Sequence, residues 1–212
     1  MREVTLQEML DARERRALRQ QEFLAQRNSP LVSFSMNIPG PVKSSPLILR
    51  GYREGVRRLD AALRRYEIPI LCREELLGPT GPELLLSAGG SAEQLKTLCL
   101  AIEERDELGR LFDLDVIAPD GHKLDRESPR CCIICGRPGK DCASRRTHSV
   151  PQLQAAVRDI LSRSLLKTDA QRIDALASSA LVDEVNVTPK PGLAFSYCTI
   201  SPIGLLPFRQ TT

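Results

Sequence analysis

Val32, Phe34, Met36 and Ile38 alternate with Ser33, Ser35 and Asn37, a pattern that predicts a strand with one buried face. Ahead of it, Thr5-Leu-Gln-Glu8 has the form of a capping box, and Leu6, Met9, Leu10, Ala17, Leu18 and Leu24 roughly follow helical spacing. A helix is expected over residues 6–27, ended by Pro30, with Arg13 to Arg19 as its solvated side. Pro39-Gly40-Pro41 stops the strand, and Ser45-Pro46 is a good N-cap and first-turn pair. The helix behind it should reach about Tyr66, with Ile48, Tyr52, Val56, Leu59 and Leu63 inward. Ile68–Cys72 and Glu83–Ala88 read as short strands flanking the turn chemistry of Gly78-Pro-Thr-Gly-Pro82. Ser91-Ala-Glu-Gln94 is a second capping box, opening a helix to about Glu107 with Leu95, Leu98 and Ile102 on its apolar side. Leu111–Ala118 is a strand, and Asp120-Gly121 turns it into His122–Leu124.

From Val32 to Ala118 the order is β-α-β-β-α-β, the split βαβ or ferredoxin-like arrangement: an α+β fold with two helices on one antiparallel sheet. Residues 126–149, dense in Cys, Arg and Pro, form a separate module. Helical spacing returns at Leu153, Val157, Ile160 and Leu161, then at Ile173, Leu176 and Leu181. The expected organisation is one domain over residues 1–168, followed by a helical appendage and tail over 169–212.

Composition narrows the function. Hydrophobic residues are 42% of the 212, enough for a core. A net charge of +3, 4% aromatics and no Trp argue against a nucleic-acid partner, which calls for basic surfaces and stacking rings. No apolar run approaches the roughly 20 residues of a membrane span, and the first residues carry Arg2, Glu3 and Glu8 where a secretory segment would be apolar. A cytoplasmic protein is expected. There the seven cysteines point to metal, catalysis or burial rather than to a disulfide framework.

Two places carry candidate chemistry. In Gly109-Arg-Leu-Phe-Asp113-Leu-Asp115-Val116 the aspartates stand at i and i+2, on one face of a strand, while Phe112, Leu114 and Val116 take the other. Asp is disfavoured in strands, and a pair of them in an apolar strand breaks local propensity as functional sites do. Neighbouring carboxylates suit Mg²⁺, which binds through one or two carboxylates plus substrate phosphates. The alternative is a solvated strand face beside a turn. Downstream, Cys132, Cys135, Cys142 and His148 have the ligand count of a Cys₃His structural zinc site, in a segment too poor in apolar residues to fold unaided. A reduced metal-free cluster and a redox C-x-x-C remain alternatives. Arg126, Arg130, Arg137, Lys140, Arg145 and Arg146 surround this module, either to bind phosphates or to solubilise a loop. Cys72 and Cys99 are expected in the core, and His122 on the surface.

Pro30-Leu-Val-Ser-Phe34 with Pro39-Gly-Pro-Val-Lys43, then Gly109 to Val116, then Arg130-Cys-Cys-Ile-Ile-Cys135 continuing to Cys142-Ala-Ser-Arg-Arg-Thr-His148, resemble the apo-citrate lyase phosphoribosyl-dephospho-CoA transferases over roughly residues 5–165. The resemblance implies that a serine of the citrate lyase acyl-carrier subunit attacks the α-phosphate of triphosphoribosyl-dephospho-CoA and releases diphosphate. It implies Asp113 and Asp115 on Mg²⁺, Lys43 and Arg110 on the triphosphate, and Arg130 or Arg145 as further phosphate ligands. His148 becomes either the base for the serine or a zinc ligand. The chain departs from the family pattern at Ser144, where an Arg is usual, and adjacent Arg145 is the residue that would replace it.

Leu181-Val-Asp-Glu-Val-Asn-Val-Thr-Pro-Lys-Pro-Gly-Leu193 resembles the opening of triphosphoribosyl-dephospho-CoA synthase, but Ala194-Phe195 follow where that pattern has Val-Asp. A truncated fusion with an unselected tail over 194–212 is expected. Two rivals stand beside the transferase reading: a zinc-stabilised, non-catalytic binding module, and a nucleotidyltransferase for another carrier such as that of malonate decarboxylase.

Overall fold

Thr5 caps the first helix, α1 (Leu6–Arg27), as a full capping box: its side chain accepts from the Glu8 backbone while the Glu8 carboxylate takes the Thr5 N–H. The structure, a computed structural model, describes residues 2–126 and 128–184, with side chains described as far as residue 173. It divides into two compact units, Met1–Arg172 and Ile173–Thr212. Of the second, the described part is helical to Glu184. The remainder of the synthase-like stretch and the tail over 194–212 lie outside the described residues.

In the first unit, β1 (Leu31–Met36), α2 (Pro46–Arg65), β2 (Ile70–Gly78), β3 (Gly81–Ala88), α3 (Ala92–Glu104) and β4 (Phe112–Ile117) follow in the expected order. The sheet is antiparallel with strand order β2-β3-β1-β4, which is the ferredoxin-like arrangement. One face packs on α2, α3 and α5 (Val150–Glu184). Phe34 stacks on Tyr52 at 5.1 Å and meets Phe112 edge-on at 5.4 Å, with Leu59, Leu84, Leu86, Leu114 and Leu161 around them.

Several boundaries move. Ile38 is buried but lies beyond the end of β1, and α3 stops at Glu104 rather than Glu107. Ser91 caps α3 by accepting from Gln94 N, which is half of the expected box. The second strand is longer than Ile68–Cys72: it runs to Gly78 and joins β3 through Pro79-Thr80. It is the sheet edge, and Ile70, Leu71, Leu76 and Leu77 are all exposed, so burial imposes no alternation on it. Cys99 is buried, whereas Cys72 on this edge is only partly so.

The larger correction concerns α1, which covers the second face of the sheet. Phe23 joins Leu31, Leu85 and Ile117 in a small apolar cluster there. The rest of that face is polar: Gln20 donates to Ser33 at 2.9 Å, and Arg16 to Glu83 at 2.6 Å. The inward side of α1 is therefore Met9, Ala12, Arg16, Gln20 and Phe23, while Leu6, Leu10 and Leu18 are exposed. Among the described residues no helix is long and apolar enough to cross a membrane.

Candidate active site

Asp113 and Asp115 project from the α1-covered face of β4, beside Ser35 and Ser33 of β1, while Phe112, Leu114 and Val116 are sealed beneath α2 and α3. The residues ahead of the pair explain how the strand is placed. A 3-10 turn, Gly109–Leu111, brings the chain so close to the end of α3 that a Cβ on Gly109 would lie 2.4 Å from Ile102 O and 2.7 Å from Glu103 O. Only glycine fits there, and Asp106 caps the turn by accepting from Gly109 N at 2.9 Å.

Both aspartates are half exposed, at 43% and 28% of the side chain, and each has a cation alongside. Arg130 lies 3.3 Å from Asp113 Oδ1, and Lys123 lies 2.7 Å from Asp115 Oδ2. They open into a groove of about 1290 Å³ that is also lined by Arg110, Arg126, Arg130, Lys140, Arg146 and His148. Asp113 faces in addition a cavity of about 380 Å³ between α1 and the β2–β3 turn, whose cations are Arg13, Arg16, Lys43 and Arg130. Asp113 and Arg130 thus border both spaces. Lys43 donates to Ile38 O at 2.5 Å; burial, and then the nearby Arg13, hold its ammonium below the usual lysine range. Arg145 lines neither space. It is an exposed residue closing the short helix α4 (Gly139–Ser144), and Arg146 faces the groove instead.

The Cys/His module sits at the open edge of β4. Arg130 donates to Phe112 O at 2.8 Å, and Arg110 reaches back to Cys131 O at 2.8 Å and Cys132 O at 3.1 Å. Within the module, Gly136 at φ +71° turns the chain so that Gly136 N meets Cys132 O at 3.0 Å and Cys132 N meets Arg137 O at 2.6 Å. After α4, Arg146 in the left-handed region turns His148 towards the cysteines. The sulfurs of Cys132, Cys135 and Cys142 and a ring nitrogen of His148 then lie within 4.8 Å of one another. Cys135 Sγ is 3.4 Å from Cys142 Sγ and 3.3 Å from His148 Nε2. Arg137, then His148, pull the Cys135 thiol down to about 5, and its proximity pushes Cys142 up to about 11.

Residues 4–164 match the family model described as apo-citrate lyase phosphoribosyl-dephospho-CoA transferase. Curated relatives named apo-citrate lyase phosphoribosyl-dephospho-CoA transferase in Escherichia coli O139:H28 (strain E24377A / ETEC), Escherichia coli O8 (strain IAI1) and Shigella boydii serotype 18 (strain CDC 3083-94 / BS512) are each 34% identical over 163 residues, covering 75% of this chain and 89% of theirs. The chain belongs to the apo-citrate lyase phosphoribosyl-dephospho-CoA transferase family. It is an enzyme, a transferase.

Glu103 is a residue of this transferase that sequence reasoning missed. Buried on α3, its carboxylate accepts from Leu114 N, between the two aspartates, at 2.7 Å, from Arg126 at 2.7 Å, and from Arg130. Burial pushes this carboxyl up, against the pull of the Leu114 N–H and the two guanidiniums. One side chain therefore ties the aspartate strand to the arginine that borders both spaces. In sequence it is one of two adjacent glutamates near a helix end, and its hint of facing inward is its place four residues after Cys99. Arg13 and Arg16, on the side of α1 expected to be solvated, line the smaller cavity as well.

Proposed function

We propose that this transferase moves the phosphoribosyl-dephospho-CoA group from triphosphoribosyl-dephospho-CoA to a serine hydroxyl of the citrate lyase acyl-carrier subunit. The new bond joins the serine oxygen to the α-phosphorus. The bond broken is the one from that phosphorus to the diphosphate, and the serine proton is given up. What supports this reading is the pair Asp113 and Asp115, side by side on one strand face and facing a groove ringed by Arg110, Arg130 and Lys140.

Two half-exposed carboxylates are hard oxygen donors and fit Mg²⁺. Bound there, the ion would activate the attacking oxygen and stabilise the leaving one. The protein's own share is positioning and charge compensation. Lys43 and Arg13 would hold one end of the polyphosphate, a role supported by their lining the cavity shared with Asp113. Arg110 and Arg130 hold the other, their guanidinium planes already fixed by backbone carbonyls. His148 turns its Nε2 to the Cys135 sulfur, so the geometry favours it as a ligand over a base. The reaction belongs in the cytoplasm, where these thiols stay reduced.

The test is intact mass spectrometry of the apo-carrier after incubation with the donor and Mg²⁺. We expect a mass gain of one phosphoribosyl-dephospho-CoA group. Asp113→Asn should slow it by about 10²–10³-fold with unchanged folding, the scale on which a single transition-state contact counts. Transfer at the normal rate by Asp113→Asn would remove the centre of this reading.

A further inference from the structure

We propose that Cys132, Cys135, Cys142 and His148 hold one structural zinc ion, and that this ion fixes Arg110 and Arg130 at the rim of the aspartate groove. The second half rests on the transferase reading above; the first does not.

The donor set and its geometry argue for the metal. Tetrahedral zinc with Zn–S near 2.3 Å and Zn–N near 2.0 Å puts its ligand atoms roughly 3.5–3.8 Å apart. The four atoms here already lie within 4.8 Å of one another. Thiolates with an imidazole are a soft set that selects zinc over the hard cation expected at Asp113 and Asp115. Three thiolates around a divalent ion leave one net negative charge, and Arg137, Lys140, Arg145 and Arg146 in the same segment are there to answer it. The turn at Gly136 and the left-handed residue Arg146 are what carry Cys135 and His148 round to the other two ligands. Four protein ligands close the coordination sphere, so the role is structural, with no position left for substrate.

Besides the arginine ties to the core and the partly buried Ile133, the module has little apolar packing to hold it. Its residues buried below a tenth of their surface are Cys132 and Cys142 alone among those described, and Ile134 is 41% exposed. A segment without an apolar core folds on its metal.

The consequence reaches the groove through the backbone. Cys132 is both a ligand and, with Cys131, the carbonyl anchor of Arg110 at 3.1 and 2.8 Å. Arg130 lies two residues before the same ligand, with Gly139 N on its carbonyl at 2.7 Å and its guanidinium 3.3 Å from Asp113 Oδ1. Metal binding at Cys132 thereby orders the two arginines that face the donor's phosphates.

The decisive measurement is the metal content of the full chain purified under reductant, by plasma mass spectrometry. We expect about one zinc per chain. Cys135→Ser and His148→Ala should lose it, while Cys131→Ser, outside the cluster, should keep it. Should those variants fail to fold, the natural chain gives the same answer with Co²⁺: thiolate-to-cobalt charge transfer and tetrahedral d–d bands, both bleached by added Zn²⁺. A chain that is metal-free and takes up neither ion overturns the proposal. So does a metal-free chain with Cys135 joined to Cys142, seen as a loss of two hydrogens. Zinc stripped by a chelator, with Mg²⁺ restored in excess, should raise the KM for the donor at least about tenfold, the usual scale of outer-shell disruption. An unchanged donor KM overturns the link to the arginines. Zinc bound in a chain that never modifies a carrier sinks the transferase reading and leaves the metal site standing.

Discussion

The sheet core and the Cys/His module are built on opposite principles, although they meet along β4. In the core, Tyr52, Phe34, Leu59, Leu86 and Leu114 are fully or almost fully buried, and the aromatic rings interlock with them. Its stability comes from area removed from water and is spread over many side chains. Residues 126–149 have almost no such area. They are tied by backbone bonds across a knuckle and by arginines reaching to and from the core, and three sulfurs and an imidazole nitrogen converge within them. The aspartate pair sits on the seam: its strand is positioned by the first kind of structure, and its cations by the second.

The sharpest way to break this contrast is a matched pair of truncations. Leu59→Ala, at the centre of α2, should cost about 2–5 kcal/mol, the range for a fully buried leucine left as a cavity. Ile134→Ala, in the module, should cost less than about 0.5 kcal/mol, as surface changes do. Denaturant midpoints followed by far-ultraviolet circular dichroism read both. If Ile134→Ala proves as damaging as Leu59→Ala, the module has an apolar core after all and the division of labour fails.

The same contrast explains what could be read from the sequence. Strand β4 was legible because Phe112, Leu114 and Val116 alternate with Asp113 and Asp115, and the structure buries the first set and opens the second. Helix α2 was legible for the same reason, with Ile48, Tyr52, Leu59 and Leu63 inward. Helix α1 had the right limits and a face only partly right, since Met9 and Leu24 do turn inward. It covers a sheet face bearing Ser33, Ser35 and Glu83, so its inner residues include Arg16 and Gln20, and hydrophobic spacing pointed instead to Leu6, Leu10 and Leu18. Strand β2 was cut short because an edge strand, exposed on both faces, carries no period. The convergence of Cys132, Cys135, Cys142 and His148 was visible by spacing alone, since a knuckle constrains its residues locally. Glu103 was not, because its partners Leu114, Arg126 and Arg130 are 11, 23 and 27 residues away.

Glu103 is also the next place to sharpen the comparison, because it is the core's hold on the module. Buried on α3, it acts through Arg130, so it is a positioning residue. Glu103→Gln keeps the size and one acceptor but withdraws the charge that both guanidiniums share. A hydrogen bond to a charged group contributes about 1.5–3 kcal/mol, so the KM for the donor should rise about tenfold or somewhat more. The kcat should fall less, and Glu103→Asp should restore part of the loss. Lower heat stability with both kinetic constants unchanged would reduce Glu103 to a clamp with no bearing on the groove.

The smallest effect should come from Lys43, on the core's side of the site. Its ammonium loses its proton more readily than an ordinary lysine, first because it is half buried and then because Arg13 repels it. The charged form is the one that attracts phosphate. As pH rises, that charge is lost before the reference value of about 10.4 is reached, and binding weakens with it. The alkaline limb of kcat/KM, which reports the free enzyme, should therefore lie below the lysine range. Bound polyphosphate favours the charged form, so the limb of kcat should lie higher than that of kcat/KM. Lys43→Arg keeps its charge over the whole working range and should carry the kcat/KM limb upward. Arg13→Gln removes only the second cause and should move it up by less. A limb at one pH in all three proteins would mean that another group titrates there and that Lys43 is no part of the grip on the donor.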